Sequence, residues 1–365
     1  MKKRIFITGC CFREPGLKDF TDIIRVMDDP EFKAPFQEIT ISDTRKTFVA
    51  KLDLDRTSPH YPSRSQLKIL RSDVIAALIC SGELVEQAGL NSEDLLDVPL
   101  YISNGSSFDL NMEQLTEITA AYLKQSCDDK WSDRYQKVYS SLPPMYVLRT
   151  LANAAECFVS QKTGAKGDNA TFGGSSHSIH HVLLEAIRKI ESNEAEMVLV
   201  GACNGIGVFS ALIFVNLYGS DFIWQESEGV GFFLIESEES ILKSGRKPLA
   251  EIIFMHSSKN IPVIFSDNII ELPYQSFNHD LADFCIYSGG LSEYDHSLEK
   301  KVCKNKWKQS FSWFDKLGIM GNNAIVMNLA TSIAMFKYRK VKQIDCLNRD
   351  SYGRESFIKL KASEI

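Results

Sequence analysis

The chain has 365 residues, of which 44% are hydrophobic and 24% are charged. It therefore carries enough apolar material for a sizeable folded core, and a linker, a fibrous protein or a disordered tail is excluded. The formal net charge is −6 and no long basic run occurs, which argues against a nucleic-acid-binding surface.

The nine cysteines are scattered and show no paired spacing. This argues against a zinc site or a disulfide framework and favours a reducing compartment. No stretch approaches the roughly 20 apolar residues of a membrane span, and the first apolar run is too short for a signal peptide. We expect a cytoplasmic protein that binds no metal, no nucleic acid and no membrane.

Strand patterns and helix patterns alternate along the chain. The predicted elements, in order, are a strand at Arg4 to Thr8, a helix at Ser65 to Ala88, a strand at Val98 to Ser103, a helix at about Leu110 to Lys124, a helix from about Pro144, a helix at His180 to Ser192, strands at Met197 to Gly201, Gly231 to Glu236 and Asp283 to Tyr287, a helix at Asn322 to Lys337 and a strand at Ser356 to Leu360. The region from Ser257 to Asp280 is polar and has no clear pattern. Strands separated by helices indicate an α/β protein whose mostly parallel sheet is covered on both faces.

The most informative stretch extends from Pro143 to Gly201. It contains, in order, LPPMYVLRTLAN at 142–153, GDNAT at 167–171, GGSSHS at 173–178, EAIRKI at 185–190 and VLVG at 198–201. This order resembles the β-ketoacyl synthases of the thiolase superfamily. Four further landmarks agree with the resemblance: RIFITG at 4–9, AGL at 88–90, EGVGFFLIE at 228–236 and DSYG at 350–353.

The resemblance covers nearly the whole chain and implies an α/β, thiolase-like fold. Such a fold has two pseudo-repeated halves stacked in α-β-α-β-α layers, and it dimerises through a strand. We place the N-terminal half at residues 1–238 and the C-terminal half at residues 239–365, as parts of one compact unit.

The resemblance also implies a condensation mechanism. In the family, a cysteine at a helix N-terminus takes the acyl chain, and two histidines stabilise the enolate that forms when malonyl-acyl carrier protein loses carbon dioxide. The helix dipole favours the thiolate, and imidazole N–H groups oppose the charge that develops on the thioester oxygen.

This sequence departs from the family at each of those three positions. The nucleophile position falls on Ser176. The first histidine position falls on Ser288, or on Tyr287 after a one-residue shift, and the second falls on Gly318. The last histidine of the chain is His296, so no later residue supplies the second imidazole.

A serine hydroxyl is a poor nucleophile without a base. The chain therefore looks like a chain-length factor, the catalytically silent β subunit of type II polyketide ketosynthases. Such a subunit pairs with an active ketosynthase α subunit and bounds the tunnel for a chain carried as a phosphopantetheine thioester on acyl carrier protein. The chain itself would need no cofactor, and an aromatic polyketide is the favoured product.

Two other functions stay open. The chain is also compatible with the partner subunit of an aryl-polyene-type reducing system. From a different class, Ser176 could serve an acyltransferase or hydrolase, since histidines follow it closely. The plainer interpretation is that the Ser176 hydroxyl caps backbone N–H groups at a helix start.

Two groups of residues are candidates for the tunnel and the interface. Phe108, Met112 and Leu115 lie at helical spacing and resemble the residues that close the tunnel in chain-length factors, although an ordinary core stripe explains them equally well. Met145 and Tyr146 occupy the segment that in the family crosses toward the partner subunit. Ordinary burial is the competing explanation.

Overall fold

The computed structural model describes residues 3–42, 45–105, 133, 136, 140, 146–149, 151–206, 224–259, 281–288, 293–350 and 353–363. Its strands are β1 (Ile5–Arg13), β2 (Gln37–Ser42), β3 (Arg45–Ala50), β4 (Leu100–Asn104), β5 (Asn169–Gly173), β6 (Met197–Asn204), β7 (Trp224–Ser227), β8 (Gly229–Ser237), β9 (Ala250–Lys259), β10 (Phe284–Tyr287), β11 (Gln309–Ser312), β12 (Gln343–Arg349) and β13 (Arg354–Ala362). Its α-helices are α1 (Phe20–Asp28), α2 (Ser72–Gln87), α3 (Tyr146–Arg149), α4 (Ala154–Thr163), α5 (Ser178–Glu191), α6 (Glu238–Ser244), α7 (Glu293–Lys306), α8 (Phe314–Leu317) and α9 (Ala324–Arg339).

Ten strands form one sheet in the order β11-β10-β12-β13-β9-β1-β8-β6-β4-β5. The five strands on each side of the centre have the same connectivity. Counted from the outer edge inward, they are β5-β4-β6-β8-β1 in the first half and β11-β10-β12-β13-β9 in the second half. The two sets meet where β1 pairs antiparallel with β9 over Ile5, Phe6 and Ile7. This repeat confirms the thiolase-like fold with two pseudo-repeated halves. The expectation of a mostly parallel sheet is wrong, because β1, β8, β9 and β13 pair only antiparallel with their neighbours in this sheet.

The helices form layers around the two halves of the sheet. Helices α2 and α4 pack together on one face of the first half, whereas α5 packs on the other face against β6 and β4. Helix α9 contacts strands of both halves and also α5, so these two helices form the central layer and share one buried apolar cluster. A second cluster lies under α2, and a third lies on the outer face of the second half.

Local sequence explains the central elements. Every residue of β8 is buried, as expected for a strand covered on both faces. Helix α5 is amphipathic and buries Ile179, Val182, Leu183, Ala186 and Ile190. Helix α9 is buried along nearly all of its length, which matches a helix that is apolar on every side.

Several predicted boundaries differ from the structure. The predicted helix at 65–88 begins only at Ser72, because Arg71 is extended and its guanidinium pairs with Asp73 at 2.8 Å. Strand β9 reaches into the region that gave no pattern. Residues 238 and 239, at the predicted division of the halves, lie in α6, and the division itself stays a prediction. The predicted helix at 110–124 lies outside the described residues.

In the ranges that the structure describes, no helix is both long enough and apolar enough to cross a bilayer.

Candidate functional site

Ser176 lies immediately before α5 and is partly buried. The side-chain amide of Asn348, in β12, donates a hydrogen bond to Ser176 Oγ at 3.2 Å. The hydroxyl therefore faces the second half of the molecule and does not cap α5, whose N-cap residue is His177 and which has no side-chain cap. The neighbouring Ser175 Oγ accepts from the backbone N–H of His177 at 3.3 Å. An amide has no basic atom at neutral pH, so Asn348 leaves Ser176 without activation.

Ser175 connects the start of α5 to the segment between β12 and β13. Its hydroxyl donates to Asp350 and accepts from Arg354 Nη2, the latter at 2.7 Å. Arg354 Nε also donates to Asp350 Oδ2 at 2.7 Å. A guanidinium–carboxylate pair thus stands beside Ser176, at the residue that precedes it.

Three imidazoles follow Ser176 closely in the chain: His177 and His180 are buried, whereas His181 is exposed and contacts the His177 ring edge-on with centroids 4.9 Å apart. The His177 ring nitrogen Nδ1 is 2.7 Å from Ser356 Oγ in β13, and the His177 ring stacks on His180 with centroids 5.2 Å apart. Burial, reinforced by His181, lowers the pKa of His177 to about 4, and burial lowers the pKa of His180 to about 3. In the described part of the chain, neither ring hydrogen-bonds to Ser176, and no three His, Cys, Asp or Glu side chains are placed to hold a metal ion.

Ser288 follows β10 and turns toward the central layer. Its Oγ accepts from the amide of Asn328, in α9, at 2.7 Å and donates to the carbonyl oxygen of Leu347 at 3.3 Å. Tyr287 instead belongs to the outer cluster and stacks on His296 with centroids 5.8 Å apart. Adjacent strand residues point to opposite faces, so of the two alternatives only Ser288 lies on the face of α9.

Gly318 ends the short helix α8 and contributes a backbone contact. Its φ is +66°, and a Cβ atom there would lie 2.6 Å from the carbonyl oxygen of Gln225 in β7. The position therefore accepts only glycine. No proton donor or acceptor side chain stands where the resemblance places the second imidazole.

Asparagines at the strand ends are functional candidates that the sequence analysis missed. Asn104 ends β4, Asn204 ends β6 and Asn348 precedes the last residue of β12. Strands β4 and β6 are parallel, as are β10 and β12, and ligand sites in such sheets lie at the carboxyl ends of the strands. An Asn directly after the predicted strand at 98–103 was the one available signal.

The same edge of the molecule holds two buried carboxyl groups. Glu14 accepts hydrogen bonds from Asn323 and, at 3.5 Å, from the hydroxyl of Ser227, and burial raises the pKa of Glu14 well above its usual value. Glu228 accepts from Ser72 Oγ at 2.6 Å, and burial raises the pKa of Glu228 as well. Glu14 thus holds the Asn323 side chain in place, whereas Glu228 holds Ser72 at the start of α2.

The proposed tunnel and interface residues cannot be placed. Phe108, Met112, Leu115 and Met145 lie outside the described residues. Tyr146 begins the short helix α3, and its side chain is outside the described part.

The candidate site therefore joins Ser176 to Asn348 across the two halves of the molecule, and it pairs Ser288 with Asn328. The model of the β-ketoacyl synthase N-terminal domain matches residues 3–214. The chain therefore belongs to the β-ketoacyl synthase family. A search of curated protein sequences gives no match.

Solved structures agree with the fold. A β-ketoacyl synthase from Burkholderia phymatum STM815 aligns with a TM-score of 0.77 at 12% identity over 99% of this chain and 100% of the other. The ishigamide ketosynthase/chain length factor aligns with a TM-score of 0.74 at 14% identity over 100% of both chains. A type II polyketide synthase acyl-carrier protein in complex with its ketosynthase bound to the hexaketide (AntDE:AntF) aligns with a TM-score of 0.72 at 17% identity over 100% of both chains.

Proposed function

We propose that this chain is a catalytically silent, chain-length-factor-type subunit of a type II polyketide ketosynthase. It pairs with an active ketosynthase α subunit and bounds the space in which a chain grows on acyl carrier protein. The phosphopantetheine arm of the carrier protein brings the chain, and this subunit contributes shape and hydrogen bonds.

One observation carries the proposal: the Ser176 hydroxyl is held by the amide of Asn348 and has no base. Ser288 stands at the position of the first imidazole, and its hydroxyl is hydrogen-bonded to the Asn328 amide and to a backbone carbonyl. Enolate stabilisation needs donors aimed at a developing charge, and nucleophilic attack needs a thiolate or an activated hydroxyl. Ser176 and Ser288 offer no thiolate, no activated hydroxyl and no donor aimed at a developing charge.

The same geometry argues against an acyltransferase or hydrolase that uses Ser176. A serine nucleophile needs a base within about 2.6–3.2 Å of its oxygen. His177 contacts Ser356, and the His180 ring stacks on the His177 ring. The hydrogen-bond partner of Ser176 within the described residues is the Asn348 amide.

Strand β5 supports the proposed pairing. It is the last strand of the sheet and pairs with β4 along one side, and an open strand edge readily pairs with another chain. Solved relatives that are described as a ketosynthase/chain length factor and as a ketosynthase complex with acyl-carrier protein support the same assignment of partners.

Co-expression tests the proposal. The chain is produced with a ketosynthase that has an intact Cys-His-His set, taken from the neighbouring genes, and is compared with the chain alone. We expect a heterodimer on size-exclusion chromatography that makes a polyketide when malonyl-acyl carrier protein is supplied, and intact-protein mass spectrometry should find no acyl group on this chain. An acyl adduct on this chain that Ser176→Ala removes would instead identify Ser176 as a nucleophile.

A further inference from the structure

Five buried asparagines share an unusual hydrogen-bonding state. In each, one amide atom or the backbone is bonded, but a side-chain amide atom has no partner among the residues that the structure describes. We call them the asparagine cluster: Asn104, Asn322, Asn323, Asn328 and Asn348. Native proteins leave few buried polar groups unpaired, and each such group calls for an explanation.

The asparagine cluster lies around Ser176, the position at which the resemblance places the nucleophile. Asn348 bonds Ser176, and Asn328 donates to the carbonyl of Leu347 at 2.8 Å, one residue before Asn348. Asn322 and Asn323 directly precede α9, and a Cβ atom on Gly105, which follows Asn104, would lie 3.5 Å from Asn322 Nδ2. All of these groups are neutral at every physiological pH, so the cluster is suited to a neutral polar ligand.

Ser176 and Asn348 together offer one donor and one acceptor. Asn348 is 1% exposed, and its Nδ2 is bonded to Ser176 whereas its Oδ1 is unpartnered in the described part of the chain. Since Ser176 Oγ accepts that bond, the hydroxyl hydrogen is available to an outside acceptor.

From this pairing, and resting on the function proposed above, we propose that Ser176 and Asn348 bind a β-dicarbonyl group of the growing chain. In its enol form such a group carries a carbonyl acceptor and a hydroxyl donor on neighbouring oxygens. The carbonyl accepts from Ser176, and the enol O–H donates to Asn348 Oδ1. No bond is made or broken, and the group is held rather than processed.

Other ligand classes fit this pair less well. A carboxylate would meet the helix N-terminus favourably, but it would also face the Asn348 carbonyl oxygen and offer it no hydrogen. A saturated acyl chain offers no donor and leaves Asn348 Oδ1 buried and without a hydrogen-bond partner, which is unfavourable. The site therefore discriminates unreduced chains from reduced ones and favours a poly-β-keto product over a polyene.

Photo-crosslinking tests the proposal directly. The probe is a 3-oxohexanoyl-pantetheine in which a methylene replaces the thioester sulfur, with a diazirine at the end of the acyl chain, and the comparison probe has a methylene in place of the 3-oxo group. Both are applied to the heterodimer, and this chain is digested with trypsin. We expect the keto probe to label the peptide at 167–188, which contains Ser176, about tenfold more than the comparison probe, as the loss of one or two hydrogen bonds implies.

Matched variants identify the binding groups. Ser176→Ala and Asn348→Leu should each reduce labelling by the keto probe about tenfold. Asn153→Leu is the control, because Asn153 is exposed and its amide contacts Cys157; its labelling should equal that of the unmodified chain. Size-exclusion chromatography of each variant confirms that the complex is intact, and the mild Ser176→Ala change keeps the test decisive if Asn348→Leu fails to fold.

Two results would overturn the inference: equal labelling of the peptide by both probes, or no labelling in an intact, product-forming heterodimer. In either case the proposed function stands. If no heterodimer forms, the proposed function fails instead, and labelling of this chain by itself still decides whether the site binds a β-dicarbonyl.

Discussion

The amide of Asn348 donates a hydrogen bond to Ser176 Oγ at 3.2 Å across 172 positions of the chain. This contact joins β12 of the second half to the start of α5 in the first half. In a condensing member of the family, the same place would hold a thiol. Here two neutral side chains share one hydrogen bond instead.

The first prediction is that the chain carries no acyl group. Incubated with acyl-carrier and malonyl-carrier protein, it should gain no adduct and release no carbon dioxide, because Ser176 has no base. Ser176→Cys restores a thiol, yet decarboxylation should stay at background, since Ser288 and Gly318 supply no imidazole. Intact-protein mass spectrometry, with a partner whose own nucleophile has been replaced, reads both outcomes. A stoichiometric adduct on the unmodified chain would contradict the assignment.

A second prediction concerns the edge strand. Gly173 ends β5 and is exposed, and a Cβ atom there meets nothing within 4 Å, so Gly173→Glu should leave the fold intact. At an edge that pairs with the partner, the new charge should lower affinity at least about tenfold, since burying an unpaired charge is costly. Leu242→Glu, at a site 70% exposed in α6, is the control. Unchanged affinity in Gly173→Glu would place the interface elsewhere. Analytical ultracentrifugation of the co-expressed pair measures both variants.

Chain length provides a third prediction. If Phe108, Met112 and Leu115 close the tunnel, Phe108→Ala should open space for about one or two more two-carbon units, because a packed interior accepts extra atoms only with strain. Product profiling by liquid chromatography and mass spectrometry on the reconstituted pair shows the shift. The large-to-small change itself costs about 3–5 kcal/mol in a buried site, so complex formation is checked in parallel. An unchanged profile after Ala substitution at all three positions would make them ordinary core.

The fourth prediction is a loss of stability in mild acid. Burial lowers the pKa of His180 to about 3, whereas an unfolded histidine titrates near 6.5. Between these values the unfolded chain binds more protons than the folded one, so the free energy of unfolding falls as the pH falls below about 6.5. From pH 7 to pH 5 the loss from this imidazole is about 2 kcal/mol.

Denaturant titrations at the two pH values check this figure. His180→Leu should remove the part of the pH-dependent loss of unfolding free energy that comes from this imidazole. His181→Gln, on the exposed side of α5, should show the same loss as the unmodified chain. Equal pH dependence in His180→Leu and the unmodified chain would mean that the imidazole titrates normally in the folded state.

The sequence by itself determined the class of fold, and its motif order predicted where the candidate site lies. Alternating strand and helix patterns indicated an α/β protein, and the order of short motifs from 142 to 201 pointed to the ketosynthase-like halves. These signals are local: the periodicity of α5 and the unbroken apolar run of β8 depend on residues next to each other in the chain. The same locality explains the placement of Ser176 at the start of α5, since glycines and small polar residues directly before an amphipathic run mark a helix start.

Only the tertiary structure decided what surrounds Ser176. Strand β5 is short and only partly buried, so its composition carried no strand signal. The strand forms because it pairs with β4. The choice between Ser288 and Tyr287 depended on which face of β10 packs against α9. The asparagine cluster gathers residues from β4, from β12 and from the start of α9. Because these side chains come together only when both halves fold against one another, no spacing in the sequence records their contact.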